Sequence, residues 1–160
     1  MRMKLKPYRQ AGFTLLEVVI AILVLAIGLL GLASLQAVSL QSNQSSQFRS
    51  QATNLAYEMA DRMRSNREAA RDGDYDVTLA NSPPACIQSL ALSQGSVAAR
   101  DVAAWRNSLA CLLPSGNGSI EVKGDIVTIT VQWDDSRGQR NLDPEDPEDG
   151  FATETLETRL

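Results

Sequence analysis

The run from Phe13 to Leu35 constrains this chain more than any other feature: it is apolar throughout, and Glu17 is its only charge. As a helix rising about 1.5 Å per residue it reaches about 34 Å, enough to cross a hydrocarbon core of about 30 Å. Arg2, Lys4, Lys6 and Arg9 precede it with no acidic residue among them. Basic flanks stay on the cytoplasmic side, which puts Gln36 onward outside. Three membrane readings follow, beside that of a buried helix in a soluble core. A secretory signal would be cut after the run, near "LLGLASLQA". A lipoprotein signal is ruled out at this position because no cysteine directly follows the run. Processing ahead of the run, between Gly12 and Phe13, would leave the helix in the mature protein.

A carboxylate inside such a run is costly, by a few kcal/mol when ionised and unpaired. Part of the reason for Glu17 is local. Thr14-Leu15-Leu16-Glu17 is a T-x-x-E capping box, which satisfies free N–H groups at a helix start, where the helix dipole also favours a negative charge. Capping does not explain why the residue is immersed in apolar sequence. A cationic partner would.

The stretch "KPYRQAGFTLLEVVIAILVLAIGLLGLA" resembles the amino-terminal signature of type IV prepilins: a basic leader ending in glycine, an aromatic residue, and a glutamate at the fifth mature position. Gly12, Phe13 and Glu17 match it residue by residue. The resemblance implies that a membrane aspartyl peptidase cuts after Gly12 and methylates the new amino terminus on Phe13. It also implies that Glu17 pairs with the charged amino terminus of a neighbouring subunit during assembly. The chain departs from major pilins in one respect: the proline they commonly carry in this helix is absent, and Ser34 stands at its position. Gly28 and Gly31 permit close packing instead. This departure, the length and the order "W…LLP…VTITVQWDD" most resemble minor pilins of the PilV type. The resemblance implies an accessory subunit of the bacterial inner membrane that primes or modifies pilus assembly and supports twitching motility and adhesion. Its partners would be other minor and major pilins, the prepilin peptidase and the inner-membrane assembly machinery. The head would lie in the periplasm and later in the filament, at its tip. The alternatives are a minor pseudopilin of type II secretion and an adhesin-like tip module.

Beyond Leu35 the surface turns polar with Ser and Gln, yet no Gly or Pro interrupts it before Asp72-Gly73. Phe48, Ala52, Leu55, Met59 and Met63 recur at helical spacing, predicting one helix from Phe13 to about Ala70 whose outer half packs on a core or on a coiled-coil partner. Asp72 to Pro84 reads as a loop with a short strand at Val77–Leu79. Its aspartates, Asp72, Asp74 and Asp76, lack the EF-hand spacing. A helix is expected over Val97–Leu113, with Val102, Trp105, Leu109 and Leu112 on one face and Pro114 as its stop. Cys86 and Cys111 would close one disulfide in an oxidising compartment, or remain two buried thiols.

"SIEVKGDIVTITVQW" is the clearest β signal, a hairpin turning at Gly124-Asp125 with the glycine first. That turn pairs Lys123 with Ile126, Val122 with Val127 and Ile120 with Ile129. Ile120, Val122, Val127, Ile129, Val131 and Trp133 then share one face, against Thr128, Thr130 and Gln132. Asp143, Glu145, Asp146, Glu148 and Asp149 form an acidic loop, solvated or facing a basic partner, before a return strand over Thr153–Leu160.

Composition removes other classes. The chain has no histidine, the commonest general base, and shows no nucleophile–base constellation, so no enzymatic activity, cofactor or metal is expected. Of its 15 basic residues four lie in the leader, and the 19 acidic ones all follow it, which argues against nucleic acid. The expected fold is α+β: a leader over 1–12, a membrane-spanning half-helix over 13–35, an amphipathic half over 36–72, and a globular head with an antiparallel sheet over 73–160.

Overall fold

A computed structural model describes residues 12–91, 94–138 and 150–160. The elements are α1 (Leu15–Ser65), α2 (Arg67–Arg71), α3 (Val97–Leu112), β1 (Asn117–Lys123), β2 (Ile126–Asp134) and β3 (Phe151–Arg159). The chain divides into two units, Met1–Leu40 and Gln41–Leu160.

In the first unit the large apolar side chains of α1 are exposed from Leu15 at 83% to Leu40 at 70%, with Val38 alone half-buried. α1 is long and apolar enough to cross a membrane. Water would not tolerate so large an apolar surface; lipid or other helices would.

In the second unit α1 turns one face inward. Ala52, Leu55, Ala56, Met59, Ala60 and Met63 are buried, with Phe48 packed at their margin. The helix does not run on to Ala70 as periodicity predicts. It breaks at Asn66, whose backbone (φ −127°, ψ 53°) separates α1 from α2. Side-chain spacing carries no sign of this break, because its cause lies elsewhere in the chain. Asn66 donates from Nδ2 to the Tyr75 hydroxyl at 3.1 Å, and that hydroxyl donates to Asp101 of α3 at 2.9 Å. Arg62 binds the other Asp101 oxygen at 3.1 Å and Glu58 at 2.6 Å. Burial pushes the Tyr75 hydroxyl above its ordinary range; the bond from Asn66 works against this and the bond to Asp101 with it. Burial would lower the Arg62 guanidinium, but Glu58 and Asp101 outweigh it and hold it raised. α2 then ends in the expected place. Gly73, at φ 83°, and Asp74 donate back to Ala70 and Ala69, the paired bonds of a Schellman motif.

α3 starts on Ser96, whose hydroxyl accepts from the Ala99 amide at 3.2 Å. It is anchored to α1 by Trp105, buried, whose indole donates to the Leu55 carbonyl at 3.1 Å. The expected inner face needs one correction: Leu112 is 47% exposed and Leu113 is buried. The helix stops one residue early, and the extended backbone at Leu113 (φ −120°, ψ 140°) swings that side chain inward ahead of Pro114.

The sheet has the order β1-β2-β3, antiparallel throughout. The hairpin register is the expected one: Lys123 pairs with Ile126, Val122 with Val127 and Ile120 with Ile129. Gly124 holds φ 65° as the glycine-first turn requires. Ile120, Val127, Ile129, Val131 and Trp133 face the core, with Val122 at its margin, while Thr128, Thr130 and Gln132 take the other side. The return strand is β3, two residues earlier at its start than the sequence suggests. The strand expected at Val77–Leu79 is reduced to one antiparallel bridge, Val77 to Ile120. α3 lies close over β1, and Gly118 makes room for it: a Cβ there would sit 2.5 Å from the Trp105 ring and 2.7 Å from Leu109. The acidic residues Asp143, Glu145, Asp146, Glu148 and Asp149 lie outside the described residues.

Candidate functional site

The residues singled out at the chain's start lie together where α1 begins. Gly12 to Thr14 precede the helix in extended or irregular backbone, and Leu15 opens it. The Thr14 hydroxyl accepts from the Glu17 amide at 3.3 Å, and the Thr14 carbonyl accepts from Glu17 at 3.1 Å and Val18 at 3.3 Å. Half of the capping box is therefore formed, the half that the threonine supplies. The glutamate side chain remains exposed in the first turn, and among the described residues no cation pairs with it.

Phe13, Glu17, Ala21 and Leu25, four residues apart, form one stripe that with Val18 and Ile22 lines a shallow hollow. The wall is apolar except for Glu17. Such a surface suits a second apolar helix, and it has one point of charge at which a cation would be held. In general, a charge buried in an apolar interface fixes register where apolar packing alone would allow sliding.

The other site residues lie in the head. Cys86 and Cys111 are joined by a disulfide, with Cα atoms 4.7 Å apart. The bond fastens the loop after Pro84 to the last turn of α3, and Asn107 holds the same loop through both the amide and the carbonyl of Ile87. Of the three loop aspartates, Asp76 accepts from the Val122 amide at 2.9 Å. Among the described residues no three His, Cys, Asp or Glu converge as a metal site would require. Sequence reasoning missed the Asn66–Tyr75–Asp101–Arg62 cluster. A lone tyrosine inside an aspartate-rich loop was the only signal for it, and members that bond within the cluster lie up to 39 residues apart.

Two family models match the chain. The prokaryotic N-terminal methylation motif covers residues 7–33, which include Gly12, Phe13 and Glu17. The type IV pilin Tt1218 model covers residues 34–103, from the apolar helix past Cys86 into the first half of α3. No curated protein and no solved structure gives a significant match. A methylation motif on an exposed apolar helix, joined without a gap to a pilin-type segment and a small antiparallel sheet, admits one reading: the chain belongs to the type IV pilin family.

Proposed function

We propose that this pilin is a minor, accessory subunit that primes or modifies assembly of a type IV pilus, of the PilV type. The carrying observation is the α1 start: Phe13 and Glu17 share an uncovered apolar stripe, with Glu17 its one charge. Cleavage after Gly12 frees an amine on Phe13, which the peptidase then methylates. In a packed bundle the Glu17 carboxylate meets that cation on a neighbouring subunit, and the pair offsets the cost of holding each in an apolar layer. Ser34, where major pilins commonly carry proline, sits inside an unbroken helix, which supports the accessory role. The head lies in the periplasm before assembly and at or near the filament tip after it, and the filament serves twitching and attachment.

Two experiments test this. Glu17→Ala and Glu17→Gln are expected to leave cleavage after Gly12 intact while lowering the chain's presence in sheared filaments about tenfold or more; normal incorporation of both sinks the pairing role. Deleting the gene is expected to reduce surface pili. Retained pili with lost export of secreted enzymes would instead identify a minor pseudopilin of type II secretion.

A further inference from the structure

The two outer edges of the sheet differ. On β3 the Leu160 amide donates to the Asp125 carbonyl and the Gly150 carbonyl accepts from Asp135, so even-numbered residues face β2 and odd-numbered ones face away. Among the described residues no strand pairs with the outward groups of Phe151, Thr153, Thr155 and Glu157. Among the described residues the one outward group that is taken is the Arg159 carbonyl, which accepts from Arg64 Nε at 3.4 Å.

The space beside this edge has a floor. Ser45 donates to Asp135 at 2.6 Å near the start of β3, and Arg64 donates to Thr158 at 2.6 Å near its end. The α1 stretch between them is about 28 Å long and β3 about 30 Å, so the two run side by side in the same direction. Tyr57 is seven residues before Arg64, on the same helical stripe, about 18 Å beyond Ser45 and so level with Leu156. Its ring is 51% exposed, and Leu156 is half-buried. Glu154 and Glu157 flank the edge on its two faces, and among the described residues neither is in an ion pair.

We propose that the outer edge of β3 accepts a strand from another subunit of the filament. The incoming segment is extended, carries Lys or Arg to meet Glu154 and Glu157, and lays an apolar side chain over Tyr57 and Leu156. Charge complementarity selects this occupant. A second copy brings the same two glutamates on a chain that is acidic beyond its leader.

The proposal rests on the assembly reading above, and its test separates the two. In the full chain in detergent micelles, the Thr153, Thr155 and Glu157 amides are expected to exchange at near-unprotected rates, while Glu154 and Leu156 are protected at least 100-fold. Protection of the odd-numbered amides would mean that the chain covers its own edge, and would overturn the proposal. Thr155→Pro removes one outward donor and no bond to β2. It is expected to melt like wild type and to fall at least fivefold in sheared filaments; Glu154→Lys with Glu157→Lys is expected to do the same. A photo-crosslinker at Thr155 is expected to join an extended, basic segment of a different pilin subunit, identified by peptide mass. Adducts within the chain, between two copies, or none at all in filaments that contain the chain would overturn it. Wild type absent from filaments defeats the assembly reading, whereas wild type and Thr155→Pro present equally defeats the strand-acceptor edge alone.

Discussion

The two edges of the head's sheet show how differently one chain treats equivalent backbone. On β1 each outward amide has a local partner. Gly118 donates to its neighbour's side chain, Asn117 Oδ1, at 2.9 Å; Ile120 exchanges both bonds with Val77; Val122 donates to Asp76. Asn117 also grips Ala80 through its amide and its carbonyl, at 3.3 and 2.8 Å. Nothing among the described residues does this for β3, which relies on alternating threonines and glutamates. An edge can be shielded by cover or by charge. Cover closes it to every partner, while charge leaves it open to a complementary one.

The contrast can be broken from the covered side. Reducing Cys86–Cys111 is expected to have the largest effect, because it frees a 25-residue loop from the chain's cross-link. The chain-entropy model puts the loss at about 3.5 kcal/mol, read as a fall in melting temperature, with faster amide exchange at Ile120 and Val122. Unchanged exchange there would show that the loop after Pro84 does not support the cover. Gly118→Val comes next. Its side chain would drive into Trp105 and Leu109, where α3 meets β1, at a cost of about 3 kcal/mol by denaturant unfolding. Asn117→Ala removes three hydrogen bonds at a buried site, for about 2 kcal/mol, and should unprotect Gly118 while leaving β3 unaffected. At the other extreme, Thr155→Pro is expected to change stability by less than about 0.5 kcal/mol, because nothing on the open side depends on that amide. A loss comparable to that of Asn117→Ala would erase the distinction between the edges.

The parts legible in the sequence were those governed by short-range rules. Glycine-first turn chemistry and strict alternation agree on one hairpin register, and the structure keeps it pair for pair. Pro114 and the Asp72-Gly73 stop end their helices within a residue or two. The features that could not be read there depend on partners distant in the chain. The break at Asn66 needs Tyr75 and Asp101; the Val77 bridge replaces a strand because Asn117 and Asp76 take up what a second and third pair would have supplied. At the proposed assembly site the residue types and spacing of Gly12, Phe13 and Glu17 were readable at once, since a membrane-length apolar run makes any charge conspicuous. The open edge of β3 was not, because a strand's sequence does not say which of its neighbours will be missing.

The Cys86–Cys111 bond has a consequence for how many partners a subunit can take. If the open edge of β3 accepts a strand as proposed, the oxidised head is monofunctional in polymer terms: one edge accepts, the other is closed, and growth by that route stops after a single junction. On the same reading, a head whose β1 cover has come loose would be bifunctional, with a second edge open to a strand from another subunit. On that reading, oxidation before assembly would act as a chain stopper, limiting strand addition to one junction per head.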